Sequence, residues 1–490
     1  MGIFVSIRSV LQRVFANDIV KAAALVVLFS WFLINRSAWL AMNDPDVWWH
    51  MRSGEWILQH HQLPHTDPFS ITGVGKPWVA YSWPFGVVIF EIARNWDLLG
   101  IVAFTYFCWL AIGIALFALI RSELKNFWWS VALTLPATGI ILRNVAPRPG
   151  MITLLFFLLT LNILLRARRG QTQWLWLLPV LIWIWANVHI QFIYGLFLIG
   201  VFAIEPLLNR IFHAQEAPSI PARKIWPVLA VCLVATVLNP YGLGPYRVIV
   251  DFLKEPKQII FITEFHSMSF GEWMHYAVLL ITLGAGVALG RMKRLEPLWI
   301  VLLVWAAVIG FRMERDIWVI TFIALTVIAH SLAQTREPHK EDRRLWLGAA
   351  LGVLVIAVGM LHLQTNNAHL RSIVADQYPL GAVAYIHEHH LQGPIFNDFD
   401  WGGFLIYALP EFKVTIDSRT NVHGQDEIER CLRTWQVWPE WKTDPLLNQA
   451  NLVIGSPKYA LVSVLKLDPK WKVVFDDGVA VVFERVRTGG

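Results

Sequence analysis

The sequence predicts an α-helical polytopic membrane protein with about eleven transmembrane helices and a C-terminal α/β soluble domain. Of its 490 residues, 56% are hydrophobic and only 16% are charged, and the mean hydropathy is +0.50. This composition excludes a purely soluble enzyme. The net charge of +6 comes without a basic tract, so nucleic acid is not expected as a partner.

Apolar runs dominate the first three quarters of the chain, and a spanning helix needs about 20 such residues. The runs lie near 19–41, 99–120, 127–142, 150–165, 174–187, 191–207, 225–239, 272–289, 296–311, 316–334 and 345–362. Lys and Arg concentrate in the loops on the side of the N-terminus, which predicts a cytoplasmic N-terminus. The long loop 43–98, the loop 240–271 and the C-terminus then share the outer face.

The last part of the sequence changes character and predicts a small α/β domain. We place a transmembrane domain at 1–362 and this outer-face domain at 363–490. Four β-rich runs alternate with helix-like stretches at 379–391, 426–438 and 457–466; the β-rich runs are 413–417, 452–456, 471–476 and 479–485.

The first outer loop opens with two carboxylates, Asp44 and Asp46, on either side of Pro45. Carboxylates two residues apart, beside a proline that stops regular helix, can coordinate a divalent cation or take a proton. The alternative is an ordinary turn in which Asp44 caps the following segment. The same loop continues with further ionisable side chains, among them His50, Arg52 and Glu55.

Arginines at the outer ends of predicted spans form a second group of candidates. They are Arg143, Arg148 and Arg315, to which the loop adds Arg52. A guanidinium binds phosphate oxygens bidentately and keeps its charge, so this group suits a phosphate or pyrophosphate. The alternative for each arginine is a side chain that only reaches from a helix end to the membrane surface.

In the C-terminal domain, polar residues follow two predicted strands, where ligands gather in α/β sheets. Asp400 and Trp401 follow the first of these strands, and Asp417 and Arg419 stand at the end of the second. The alternative is a strand–turn–helix corner with Trp401 packed in the core.

Together these elements resemble the type C glycosyltransferases, and most of all the catalytic subunit of oligosaccharyltransferase. The spacing from Asp46 to Arg52 is similar to the family's catalytic Asp and the Arg six residues later. The segments 398–403 and 414–417 look like relatives of its aromatic motif and the strand that follows, and Glu264 matches a Glu in a late outer loop. Further runs in the chain resemble a group of bacterial multi-spanning membrane proteins.

The resemblance implies a membrane glycosyltransferase that moves a sugar from a polyprenyl-phosphate-linked donor to an acceptor on the outer face. It also implies a bacterial inner membrane, with the C-terminal domain in the periplasm. Asp46 would act as general base, assisted by Asp44, and the four arginines would bind the donor phosphate. A divalent cation, Mg²⁺ or Mn²⁺, would be held by Asp44, Asp46 and Glu264. The acceptor or a secondary site would involve His50, Glu55, Glu264, Asp400, Trp401, Asp417 and Arg419.

The chain departs from the family in its second outer loop. The family has an acidic motif there, whereas residues 141–148 contain no carboxylate. The final Tyr of the family's aromatic motif is also absent, so recognition of a Ser/Thr acceptor peptide does not carry over.

Two other functions remain open at this point. A transporter or lipid flippase would place its polar groups along a pathway at the bilayer midplane, whereas here they cluster at predicted outer ends. A non-catalytic scaffold would tolerate replacement of Asp44 and Asp46.

Overall fold

The computed structural model describes residues 18–34, 42–214, 217–254, 263–294, 296–334, 352 and 366–486. All the fold statements below concern these residues. Of the eleven predicted apolar runs, the last, 345–362, lies outside them except at residue 352.

The described residues form helices from one end to the other, with a few short strands near the C-terminus. In chain order the α-helices are α1 (Asp18–Ile34), α2 (Asp46–His60), α3 (Trp83–Leu124), α4 (Phe127–Ile141), α5 (Pro149–Arg168), α6 (Leu178–Val188), α7 (Phe192–Ile211), α8 (Ala222–Val237), α9 (Gly244–Lys254), α10 (Trp273–Gly290), α11 (Pro297–Arg312), α12 (Ile317–Ala333), α13 (Asn367–Ala375), α14 (Leu380–Glu388), α15 (Gly402–Ala408), α16 (Thr420–His423), α17 (Gln425–Trp435), α18 (Pro445–Gln449) and α19 (Ala460–Leu465). Short 3₁₀ turns occupy Leu142–Asn144, Thr172–Leu177, Thr263–Phe265, Glu314–Asp316 and Pro439–Thr443.

The apolar runs fold as helices because a helix satisfies its own backbone hydrogen bonds, which lipid cannot do. Within the described residues, five helices are long and apolar enough to cross a membrane: Trp83–Leu124, Pro149–Arg168, Phe192–Ile211, Trp273–Gly290 and Glu314–Ala333. The protein is therefore an integral membrane protein. The count of eleven spans stays a prediction, although the described residues of the other apolar runs before 335 are also largely helical.

A kink divides α3 into a shorter first part and a longer second part. At Asp97 the backbone adopts φ 55° and ψ −151°, which interrupts the helix. The part before the kink carries the short apolar stretch 84–93, and the part after it carries the predicted run 99–120. The kink allows the first part to leave the axis of the span.

The C-terminal strands form one four-stranded sheet in the order β1-β2-β4-β3. The strands are β1 (Ile395–Asn397), β2 (Leu452–Gly455), β3 (Trp471–Asp476) and β4 (Val481–Arg485). Strands β1 and β2 are parallel, and the other neighbours are antiparallel. The predicted alternation of helix and strand is present here, and the three predicted helix-like stretches correspond to α14, α17 and α19.

One strand prediction is wrong. Residues 413–417 are not a strand of this sheet, because Val414 pairs with the first outer loop instead. The amide of Ile71 donates to the carbonyl of Val414 at 2.8 Å, and the amide of Val414 donates to the carbonyl of Phe69 at 3.2 Å. The extended segment around Val414 pairs with the first outer loop, and the local sequence does not reveal this partner.

The C-terminal region also packs directly on α2. The ring of Trp48 meets Phe404 edge to face at 5.1 Å and Tyr378 at 5.5 Å. These residues belong to one buried apolar cluster that contains side chains from both parts of the chain. The start of the first outer loop is thereby fixed between the helical bundle and the C-terminal region.

A buried network of charged side chains connects several of the helices. Arg168 lies 2.8 Å from Glu205 and 2.7 Å from Glu296, and His330 lies between Glu296, at 3.1 Å, and Glu123, at 2.9 Å. The five side chains come from α3, α5, α7, α12 and the residue before α11. Such pairing is what makes buried charges tolerable in lipid.

Candidate functional site

The acidic pair of the first outer loop is built by the start of α2. Pro45 precedes the helix, and Asp46 is its first residue. The backbone amide of Asp46 donates to Oδ1 of Asp44 at 2.8 Å, which forms an Asx turn directly before the helix, whose N-cap position is Pro45. Both carboxylates line the cavity described below, and they differ in their exposure.

Asp46 is the more accessible carboxylate of the pair. Its side chain is 20% exposed, whereas that of Asp44 is 2% exposed. Oδ1 of Asp46 accepts hydrogen bonds from the indole of Trp49 at 3.2 Å and from the hydroxyl of Ser418. A substrate can therefore reach Asp46, whose orientation is fixed by two donors.

Three carboxylates converge on the guanidinium of Arg148, the residue that precedes α5. Its Nε lies 2.5 Å from Asp44 Oδ2 and 3.2 Å from Asp46 Oδ2. Its Nη1 lies 3.3 Å from Glu264, which belongs to the turn Thr263–Phe265. Arg148 thus joins the first, second and late outer segments through charge-assisted hydrogen bonds.

The burial of this cluster shifts the pKa values of Asp44 and His50. Burial, opposed by Arg148 and assisted by the charge of Asp46, raises the pKa of Asp44 to about 6. Burial also holds the pKa of His50 well below its usual value, and the charges of Arg148 and Arg419 act in the same direction. His50 is therefore neutral at physiological pH, and its ring stacks on that of Trp49.

Arg315 supplies a second cation near the same point. It lies in the turn Glu314–Asp316, with Nη1 3.6 Å from Glu264 and Nη2 3.5 Å from Nε2 of His189. Its side chain is 30% exposed, and its backbone carbonyl accepts a hydrogen bond from the side-chain Nδ2 of Asn144 at 2.8 Å. Compared with Arg148, Arg315 has longer contacts to carboxylates, so an incoming anion competes with weaker pairing.

These groups line one cavity of about 770 Å³. Asp46, Arg148, Glu264 and Arg315 are on its wall, together with residues of the C-terminal region such as Asp400. The volume is in the range of small-molecule sites, about 300–1,000 Å³. Acidic and basic groups that the sequence distributes over five segments thus face one space.

The C-terminal region contributes to the wall of this cavity and approaches the start of α2 closely at Gly403. A Cβ added at Gly403 would lie 2.5 Å from the carbonyl oxygen of Pro45, and one at Gly402 would lie 2.0 Å from that of Ile416. Only glycine allows this packing. Asp400 lines the cavity, whereas Trp401 is 7% exposed, donates to the carbonyl of Gln377 at 3.0 Å and packs in the core.

Asp417 and Arg419 form a buried ion cluster with Asp67. The guanidinium of Arg419 lies 2.7 Å from Asp417 and 2.6 Å from Asp67, and none of these side chains is exposed. His423 lies 3.0 Å from Asp417. Burial alone would raise the pKa of Asp417, but Arg419 and His423 hold it below its usual value. The cluster ties the C-terminal region to the first outer loop.

Arg52 and Glu55 lie apart from the cavity. Arg52 and Glu55 pair with each other at 2.6 Å, one helical turn apart on α2, and neither lines the cavity. Arg143 belongs to the turn Leu142–Asn144, and its side chain is outside the described part of the structure.

Ser418 and Tyr81 are among the cavity residues that the sequence interpretation missed. Ser418 stands between Asp417 and Arg419, so its position next to two candidates was a usable signal. Tyr81 also lines the cavity, and burial raises the pKa of its hydroxyl. No motif surrounds Tyr81, and its place in the site follows only from the fold.

The metal set implied by the resemblance fits this arrangement poorly. Asp44, Asp46 and Glu264 do converge, but on the nitrogens of Arg148. Within the part of the chain that the structure describes, no group of three or more His, Cys, Asp or Glu side chains is arranged to hold a metal ion.

The fold has solved counterparts, although the sequence matches no protein-family model and no curated protein. The oligosaccharyltransferase of Archaeoglobus fulgidus in the apo form matches with a TM-score of 0.53 and 11% identity, over 90% of this chain and 69% of that one. The archaeal oligosaccharyltransferase AglB from Archaeoglobus fulgidus, in complex with an inhibitory peptide and a dolichol-phosphate, matches with a TM-score of 0.53 and 10% identity, over 95% of this chain and 74% of that one.

The chain therefore has a type C glycosyltransferase-like fold, and this part of the prediction is confirmed. The particular similarity is to archaeal oligosaccharyltransferase. At these identities the likeness is one of fold, so the activity has to be argued from the site.

Proposed function

We propose that this protein is a membrane glycosyltransferase that transfers a sugar from a polyprenyl-phosphate-linked donor to an acceptor on the outer face. The observation that carries the proposal is the exposure of Asp46 to a cavity that also presents Arg315. The fold supports it, because one of its structural counterparts was solved with a dolichol-phosphate.

The transfer needs a base for the acceptor and a cation for the leaving group. Asp46 takes the proton of the acceptor hydroxyl as that oxygen bonds to the anomeric carbon of the sugar. The bond from this carbon to the phosphate oxygen breaks, and the phosphate leaves with the bonding electrons. Arg315 stabilises the charge that develops on it. Arg148 is held by carboxylates and orients Asp46.

The orientation of the protein in the membrane follows from the same proposal. The outer loops and the C-terminal region would lie in the periplasm of a bacterium, with the N-terminus in the cytoplasm. The Lys and Arg distribution of the sequence supports this arrangement.

The donor is tested by mass spectrometry of the lipids that co-purify with the protein in nanodiscs. The Asp46→Asn variant serves beside the wild type, because it keeps the shape of the site while losing the base. A polyprenyl-phosphate sugar bound to both supports the donor class. Ordinary phospholipid alone, from several preparations, would favour a transporter or a scaffold instead.

The reaction is tested by incubating the protein with membrane extract and a synthetic polyprenyl-phosphate sugar whose sugar carries an isotope label. The measured quantity is the label transferred to the extract. Asp46→Asn should lower the transfer rate by about 10²- to 10⁴-fold, the usual contribution of a general base. The control is Asp426→Asn, the same change at an exposed position of α17. Equal transfer by the two variants would contradict the role of Asp46.

A further inference from the structure

The position of Arg148 has a consequence for the chemistry of the site. A Mg²⁺ or Ca²⁺ ion requires several oxygen ligands within about 2.0–2.6 Å of one point. Asp44 and Glu264 supply such oxygens from two different segments, and Asp46 adds a third carboxylate. The space between them holds the guanidinium of Arg148, with N–O separations of 2.5, 3.2 and 3.3 Å.

The oxygens of Asp44 and Asp46 already accept hydrogen bonds from protein groups. Oδ1 of Asp44 accepts the amide of Asp46, and its Oδ2 accepts Nε of Arg148. Oδ1 of Asp46 accepts Trp49 and Ser418, which leaves its Oδ2 for Arg148. An ion at this point would have to displace the guanidinium and break several of these bonds.

A guanidinium keeps its positive charge in proteins, so Arg148 remains a cation between the three carboxylates. The backbone also fixes the residue, because Arg148 directly precedes Pro149, the first residue of α5, and its carbonyl accepts the amide of Met151 at 3.1 Å.

The segment from which Arg148 comes also argues against a metal ion at this point. Arg148 comes from the second outer loop, whose residues 141–148 contain no carboxylate. The loop therefore contributes a positive charge to the cluster and no acidic ligand. A permanent cation that bridges three carboxylates performs the neutralising and orienting work that a bound divalent ion performs elsewhere.

We infer that Arg148 takes the place of a divalent cation in this site, so that the protein holds Asp46 in position without a metal ion. The inference rests on the proposed function for its catalytic meaning. Its structural content, that no divalent ion binds among Asp44, Asp46 and Glu264, stands independently of any activity.

The test measures Mn²⁺ binding by electron paramagnetic resonance, in which bound Mn²⁺ loses the signal of the free ion. Wild type in phosphatidylcholine nanodiscs should bind no more Mn²⁺ than empty nanodiscs. Arg148→Met should gain about one Mn²⁺ per chain, because three carboxylates then lack their shared cation. Arg94→Met, at a 65% exposed arginine paired with Glu91, is the matched control and should behave as the wild type.

Saturable binding of one Mn²⁺ by the wild type that disappears in Asp46→Asn would overturn the inference. This comparison does not depend on the folding of the Arg148→Met variant. In the transfer assay, excess EDTA should leave the rate of the wild type unchanged, and a loss of rate that Mn²⁺ restores would also overturn it. Absence of any transfer, with no Mn²⁺ bound, would instead count against the proposed function alone.

Discussion

Replacing Arg419 with methionine should undock the C-terminal region from the first outer loop. The guanidinium of Arg419 donates four hydrogen bonds to the carboxylates of Asp67 and Asp417, at 2.6–3.2 Å. None of the three side chains is exposed. Methionine keeps much of the length of the side chain but leaves two buried carboxylates without their cation.

The size of the effect follows from the burial. Removing one partner of a buried ion pair costs about 3–5 kcal/mol. At about 1.4 kcal/mol for each factor of ten, the undocked population should rise by about 150- to 4,000-fold. By contrast, Arg433 pairs with Glu429 at the surface, with side chains 44% and 26% exposed. Arg433→Met should cost no more than about 1 kcal/mol.

Hydrogen–deuterium exchange measures this difference at the contact itself. The amides of Ile71 and Val414 form the two backbone hydrogen bonds between the loop and the C-terminal region. Exchange of the peptides that contain them should accelerate strongly in Arg419→Met and little in Arg433→Met. If the two variants exchange at the same rate there, the buried cluster does not hold the two parts together.

Three further outcomes are expected. Arg315→Met should lower the transfer rate by about 10²- to 10³-fold, the usual cost of losing a group that stabilises developing charge, and an unchanged rate would assign the leaving phosphate to another cation. Ser418→Ala should lower kcat by about tenfold with little change in KM, since a hydrogen bond to a carboxylate is lost, while Ser418→Thr should restore it; a variant that changes KM alone would contradict a positioning role. Because Arg419 and His423 lower the pKa of buried Asp417, its contribution to stability is present above the unfolded pKa of about 4 and is lost as pH falls below it. The unfolding temperature, followed by tryptophan fluorescence, should show this loss in the wild type and less of it in Asp417→Asn.

The sequence by itself determined the types of secondary structure in the fold. Its apolar runs had to become helices in lipid, and the alternation near the C-terminus had to become a small sheet with helices. It also determined local chemistry, because Asp44 and Asp46 meet at a helix start within three residues. The pairing of Arg52 with Glu55 at i, i+3 was equally available from helical periodicity.

Only the tertiary structure decided which of these groups meet. Arg148 and Asp44 are 104 residues apart in the chain, Ser418 and Asp46 are 372 apart, and Arg419 and Asp67 are 352 apart. Such contacts depend on how helices pack and how the C-terminal region docks, and no local periodicity encodes either. The arginines at the predicted outer helix ends look alike in sequence. In the structure Arg148 pairs with three carboxylates, whereas Arg315 has longer contacts to carboxylates and lines the cavity. The difference arises because the partners of each charge are set by its neighbours in space.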